Sequence, residues 1–188
     1  MRTGIVALLL GWCACAAPPR DEVIDDNRFY PVSGRTGQEL RFALNQLGPE
    51  NDQGGRSDAV TRWNFEYEFG VVPAARGCSL GAIDTKVVIT TVLPRWMPEA
   101  GAPSDLVRRF EEYVTCAKLH ETGHRRIYLD AIAEFRRRAA TLGERAGCQE
   151  AGEALDALAR TLFAEVQDSQ RAYEERTDHG YRQCGHFP

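Results

Sequence analysis

Within the body of the chain, no apolar run comes near the roughly 20 residues that a membrane-spanning helix requires, which excludes an integral span as part of the fold. An excess of basic charge is lacking too. Lys and Arg total 23 against 27 Asp and Glu, a net charge of −4. The clustered positive field needed for phosphate backbones is missing, which argues against a nucleic-acid partner. No internal repeat or low-complexity segment stands out, so a repeat architecture is not indicated. Histidine is rare as well, at four residues. They fall in two clusters, His120 with His124 and His179 with His186.

What is present begins with "MRTGIVALLLGWCACAA". One Arg, a short apolar run and then small residues read as a secretory signal peptide, with cleavage after Ala16. A competing reading makes Cys13 or Cys15 an acylated lipoprotein residue. Trp12 counts against it, because small or Leu residues are usual at that place. Export, to the periplasm or beyond, puts Cys78, Cys116, Cys148 and Cys184 in an oxidising compartment, where an even set reads as two disulfides.

Residues 17–28 are polar and Pro-containing and read as a linker, leaving a single domain over 29–188. "FYPV" at 29–32 is a strand candidate. Thr36 and Glu39 form a capping box, Leu40, Leu44 and Leu47 recur at helical spacing, and Gly48-Pro49 stops the helix. "TRWNFEYEF" at 61–69 alternates strictly, with Trp63, Phe65, Tyr67 and Phe69 on one face of a half-buried strand. That aromatic stripe reads as core packed under a helix. "VVPAARG" turns the chain, and "CSLGAIDTKVVITTVLPRW" is a longer β-branched strand. From Ser104 the pattern is helical to Leu142. An unbroken helix there would reach nearly 60 Å at about 1.5 Å per residue, so a kink or break is expected before Tyr113. A second helix runs from about Gln149 to Glu175, antiparallel to the first. The arginines at 125–126 and 136–138 read as solvated helix faces.

The chemistry sits in "HETGH" at 120–124. A helix puts residues i and i+4 on one face, so His120 and His124 can aim ring nitrogens at one point. Zinc accepts neutral imidazole, and a catalytic site needs three protein ligands and a water. Glu121 stands beside them as the base for that water. For the third ligand, "YEERTDHGYRQCGHFP" offers His179, which Gly180 would let fold back over the metal. Asp178 and Glu175 are rivals, and His186 is a weaker one because chain ends are commonly mobile. If both clusters meet at one metal, Cys116, one turn before His120, neighbours Cys184. That pairs Cys116 with Cys184 and leaves Cys78 with Cys148. Gly123 reads as a place where a side chain would crowd a strand or substrate passing over the metal.

These residues resemble a bacterial family of predicted secreted zinc-dependent proteases, formally a domain of unknown function. The resemblance covers nearly all of the mature chain, including "SGRTGQELRFALNQLGP", "AVTRWNFEYEF", "GCSLGAIDTKVVITTVLPRW", "HETGH" and "YEERTDHG". Its specific parts are His-Glu-x-Gly-His and Tyr-x-x-x-Thr-x-His-Gly. Family members usually carry Asp after that Tyr, where this chain has Glu174. The resemblance implies His120, His124 and His179 as zinc ligands, Glu121 as base and Cys78–Cys148 as the common disulfide. It implies no substrate.

The expectation is an α+β, zincin-like fold. A small, mostly antiparallel sheet packs against a long metal-binding helix and a second, antiparallel C-terminal helix. The expected activity is that of a secreted HExxH metallopeptidase that hydrolyses peptide bonds with a zinc-bound water activated by Glu121. Tyr173, or Tyr181, would donate a hydrogen bond to the oxyanion. An exposed sheet edge could hold the peptide or protein substrate as an added strand. A rival reading is a zinc-stabilised binding module for an envelope protein, with Asp178 or His186 closing the fourth position. Another is a zinc amidase acting on the cell wall.

Overall fold

Helix α2 organises the chain. In the computed structural model, which describes residues 20–51 and 54–187, α2 runs without interruption from Ser104 to Ala139, 36 residues. The expected break before Tyr113 does not occur. The reason lies in what the helix covers. Its N-terminal half buries Leu106 and Phe110 against Val32, Leu40, Leu44 and Phe187. Its C-terminal half buries Tyr128, Ile132 and Phe135 against Phe65, Val87, Ile89, Leu155 and Leu162. Two apolar clusters share one helix, so burial supports its whole length and no kink is needed. The polar motif at 120–124 falls between the two.

The elements follow the order β1 (Asp21–Val32), α1 (Gly37–Leu47), β2 (Val60–Ala74), β3 (Gly77–Trp96), α2, α3 (Cys148–Thr177) and the short α4 (Tyr181–Cys184). The fold is α+β. The sheet is mixed rather than mostly antiparallel. Its order is β1-β3-β2, with β1 parallel and β2 antiparallel to β3. Residues 21–28, expected as linker, belong to β1 and pair with Thr85–Val92. The expected signal peptide at 1–16, with Cys13 and Cys15, lies outside the described residues.

Local chemistry accounts for the element ends. Thr36 Oγ1 accepts from the Glu39 N–H at 3.2 Å, and the Glu39 carboxylate reaches back to the Arg35 N–H at 2.6 Å. β2 continues through "VVPA", past its expected turn, to a tight reversal at residues 75–76. There Gly77, at φ 152°, lets the backbone approach Arg145, with which Cys78 exchanges two backbone hydrogen bonds. A Cβ at Gly77 would meet the Arg145 carbonyl oxygen, so the approach requires glycine. Most of the aromatic stripe packs on the core: Phe65 is buried edge-on to Phe135, Trp63 stacks on Tyr128 and Tyr67 is partly buried, but Phe69 at its end is exposed. Two arginines expected as solvated tie α2 to β1. Arg125 holds Asp25 through two 2.7 Å hydrogen bonds, and Arg136 contacts Asp21.

The cysteines form the pairs Cys78–Cys148 and Cys116–Cys184. The first ties the start of β3 to the start of α3. The second ties α4 to α2 one turn before His120. Among the described residues, no helix is long and apolar enough to cross a membrane.

Candidate metal centre

His120, Glu121 and His124 are all buried on α2, at 6%, 5% and 7% exposure. Helical spacing brings the two imidazoles together, with Nε2 of His120 3.1 Å from Nε2 of His124. Each ring's other nitrogen is taken. His120 Nδ1 lies 2.7 Å from Oε1 of Gln183, and His124 Nδ1 contacts Oε1 of Gln170. The orientation of Gln170 is set independently, because its Nε2 donates to the His124 backbone carbonyl. An amide oxygen facing each Nδ1 means that each Nδ1 carries the proton and donates it. The two Nε2 lone pairs are thereby turned towards one point.

Glu174 completes that point. Its Oε1 lies 3.1 Å from His124 Nε2, and its Oε2 lies 3.8 Å from His120 Nε2. One ligand atom from each of His120, His124 and Glu174 lies within 4.8 Å of the others. Oε2 of Glu174 is buried without a hydrogen-bond partner. Burial keeps His120 below the ordinary histidine pKa. Burial also pulls His124 down, but the hydrogen bonds to Glu174 and Gln170 outweigh it and raise the ring. Burial would raise Glu174, yet the His124 hydrogen bond leaves it below the usual carboxylate range. Two imidazoles and one carboxylate, with a fixed tautomer and an orphaned carboxylate oxygen, fit a metal ion.

His179 does not join the three. It follows the end of α3 in a left-handed run, with φ of 52° at Asp178, 53° at His179 and 84° at Gly180. Its Nδ1 rests 3.2 Å from Glu174 Oε2, and its side chain is 59% exposed. Among the described residues the third member of the cluster is Glu174, and His179, the expected ligand, lies against that carboxylate. The difference is geometric: Glu174 lies within α3 and faces α2, whereas His179 lies past the helix end. Of the rival ligands, Glu175 and Asp178 are absent from the cluster among the described residues. His186 stacks on Tyr181 with ring centroids 3.9 Å apart. The chain end next to it is anchored, not loose, because Phe187 is buried at 2% exposure.

Tyr173 also departs from its expected role. Its ring stacks on His120 at 5.0 Å and stands edge-on to His124 at 4.9 Å. Its hydroxyl donates to the His120 carbonyl at 2.8 Å, so that hydroxyl is already committed to α2. This packing explains Gly123. A Cβ there would come within 2.1 Å of the Tyr173 hydroxyl oxygen, so Tyr173, rather than a strand or substrate, fills the space. Gly180 packs against the His120 ring from the other side, at 3.4 Å from its would-be Cβ.

Glu121 lies within electrostatic reach of His124 and Glu174, and the Thr61 hydroxyl is hydrogen-bonded to its carboxyl. Its Oε2 is buried without a hydrogen-bond partner. Burial pushes its carboxyl up to about 7, against the opposing pull of His124 and the Thr61 hydroxyl. A cleft of about 440 Å³ opens beside it, lined at this end by His120, Glu121, Glu174, His179 and Tyr181. Tyr181, 43% exposed, presents its ring at the cleft wall.

A family described as "Bacterial protein of unknown function (DUF922)" matches residues 27–180. The chain belongs to the DUF922 family. No curated protein matches it. No solved structure matches it either. The DUF922 match takes in His120, Glu121, His124, Gln170, Tyr173, Glu174 and His179 but ends before Gln183 and Cys184. The outer support of His120 therefore lies beyond the matched DUF922 segment. Sequence reasoning missed Gln170, Glu174 and Gln183. For the first two a signal existed: with Tyr173 they form an i, i+3, i+4 stripe on α3 that faces α2.

Proposed function

We propose that this DUF922 chain is an exported zinc-dependent metallopeptidase, with His120, His124 and Glu174 as ligands and Glu121 as general base. The observation that carries the reading is the convergence of both Nε2 atoms and the Glu174 carboxylate, with buried Glu121 next to them. A zinc ion held by that set supplies a Lewis acid that polarises a peptide carbonyl and lowers the pKa of water. Glu121 takes the proton of the water that adds to the carbonyl carbon. It then gives that proton to the leaving nitrogen as the C–N bond breaks, and the water's second proton ends on the amine, so the products are a carboxylate and an ammonium group. A carboxyl near 7 without an ion beside it suits a group that must hold a proton between two transfers. Tyr181, on the cleft wall, is the better placed of the two tyrosines to donate to the oxyanion, since the Tyr173 hydroxyl is occupied. Gln170 and Gln183 hold the imidazoles in the required tautomer. Two disulfides are compatible with export.

One observation favours a second reading. His179 sits 3.2 Å from Glu174, close enough that a modest shift would close the site as a four-ligand structural clamp. The protein would then be a zinc-stabilised binding module. Metal content by plasma mass spectrometry, combined with peptide-library cleavage by wild type and Glu121→Ala, separates the two. The peptidase reading expects about one zinc per chain in both proteins and cleavage by wild type alone, lower by about a thousandfold or more in the variant. Zinc in both and cleavage in neither favours the clamp.

A further inference from the structure

The cleft does not end at the metal centre. It continues past Tyr181 to a wall carrying Arg41, Asn45, Arg56 and Ser57. These residues come from α1 and the loop before β2, which supply nothing to the ligand set. Among the described residues, the charged groups on that wall are Arg41, Arg56 and Asp58. Asp58 is engaged by Arg41, through both of its terminal nitrogens, and by the Tyr113 hydroxyl. Glu174 faces the histidines. Arg56 has no carboxylate partner among the described residues, and one of its terminal nitrogens donates to the Gly48 carbonyl at 2.5 Å. That bond uses one of the five guanidinium N–H groups of this exposed side chain at the cleft. Two hydrogen bonds link Asn51 and Gly55, just before Arg56. The Asn51 N–H donates to the Gly55 carbonyl at 2.8 Å, and the Asn51 side-chain oxygen accepts from the Gly55 N–H at 2.9 Å. In a chain of net charge −4, an uncancelled cation on a cleft wall is not a surplus of background charge.

We propose that this end of the cleft reads a carboxylate on the substrate, with Arg56 as the specificity-determining residue. The inference rests on the peptidase reading above. A guanidinium fork matches a carboxylate in shape as well as charge, and in a cleft it selects for that group more than it adds raw affinity. Either an acidic side chain or the free C-terminus of the peptide could supply the group.

The test uses zinc-loaded full-length protein and matched peptides that differ by one carboxylate. Glu is set against Gln at each position around the cleaved bond, and a free C-terminus against an amidated one. The expected result is a preference of about tenfold in kcat/KM for the carboxylate form in one of these series, and the series identifies the source. In Arg56→Gln the acid-to-neutral ratio falls towards one, and in Arg56→Glu it inverts. The ratio is internal to each protein, so a general loss of folded enzyme lowers both numbers and leaves it unmoved. Should Arg56→Glu fail to fold, Arg56→Gln and Arg56→Lys carry the test, with Lys keeping part of the preference. A wild-type ratio near one in every series overturns the proposal, as does a ratio unchanged on losing Arg56. If wild type cuts none of the peptides, the peptidase reading fails, and the same pairs, fluorescein-labelled, are titrated by anisotropy. Tighter binding of the carboxylate form, lost in Arg56→Gln, keeps the subsite. Equal binding of both forms removes it.

Discussion

Two imidazole lone pairs 3.1 Å apart repel unless a cation stands between them. In this protein Gln170 and Gln183 direct both lone pairs inward, and Glu174 adds a negative charge at the same point. The third ligand can be tested at single residues. Glu174→Gln keeps the shape and removes the charge, so zinc affinity falls on the order of 100-fold or more, beyond what loss of a supporting residue costs. Glu174→Asp keeps the carboxylate and retains most of the affinity. His179→Ala changes it by less than about threefold, within the range of a lost outer contact. Competition against a chromophoric chelator measures all three. If His179→Ala collapses affinity while Glu174→Gln does not, the ligand assignment reverses. His120, Glu121 and His124 were legible in the sequence because helix geometry alone brings i and i+4 together. His179 was not resolvable in the same way. It lies past the end of α3, and the left-handed run at 178–180 sets its position, which no spacing rule specifies. Glu174 was within reach of the spacing argument.

At the scale of elements, Asp58 joins three of them across the loop before β2. Its carboxylate accepts from Arg41 of α1 and Tyr113 of α2, and its carbonyl accepts from Tyr30 of β1 at 2.8 Å. Burial first, then the charge of Asp58, raises Tyr30 and Tyr113 above the ordinary phenol range. Tyr67 is raised to about 12 by burial and by its hydrogen bond to Asp156, a separate cause. The folded state thus holds protons that the unfolded chain releases near pH 10. Stability from these phenols is complete below that value and is lost as pH rises through the folded values. Titration of phenolate absorbance should show Tyr30, Tyr67 and Tyr113 ionising late. In Asp58→Asn, Tyr30 and Tyr113 move earlier while Tyr67 stays. The variant also loses about 2 kcal/mol in chemical denaturation, because Arg41 is left without its partner. Tyr113 ionising with free tyrosine would remove the network from the account. Elements with strong local signals were legible: the Thr36 cap of α1, the alternation of β2 and the β-branched run of β3. β1 was not. "DEVIDDNR" is polar because its side chains are largely exposed at a sheet edge, where ion pairs to Arg125 and Arg136 take the place of burial. Its parallel pairing depends on a crossover through α1 and β2, which no local pattern encodes.

Across the whole molecule, the two disulfides look equivalent in the chain and differ in what they hold. Cys78–Cys148 closes a sequence separation of 70 residues and Cys116–Cys184 one of 68. Chain entropy therefore assigns them nearly equal stabilisation, roughly 4 kcal/mol each. Their surroundings are not equal. Cys78–Cys148 joins the far end of the sheet to the start of α3, away from the metal centre. Cys116–Cys184 pins α4 to the metal helix, and the residue before Cys184 is Gln183, which fixes the tautomer of His120. Removing either pair by double Cys→Ser substitution should lower thermal stability by a comparable amount. Only Cys116→Ser with Cys184→Ser should also weaken zinc binding, by about 10- to 100-fold, the cost of losing a supporting hydrogen bond to a metal-bound imidazole. Gln183→Ala in the intact disulfide background separates the clamp from the residue it carries. It should reproduce the affinity loss without the loss of stability. Chelator competition and thermal melts on the same four proteins read both quantities. Equal affinity losses for the two double variants would mean that the disulfides act on zinc only through global stability. An unchanged affinity in Gln183→Ala would mean that the His120 tautomer is held by something other than α4. The expected pattern, with two staples of equal entropy and only one coupled to the ion, would make oxidation of Cys116–Cys184 part of assembling the site.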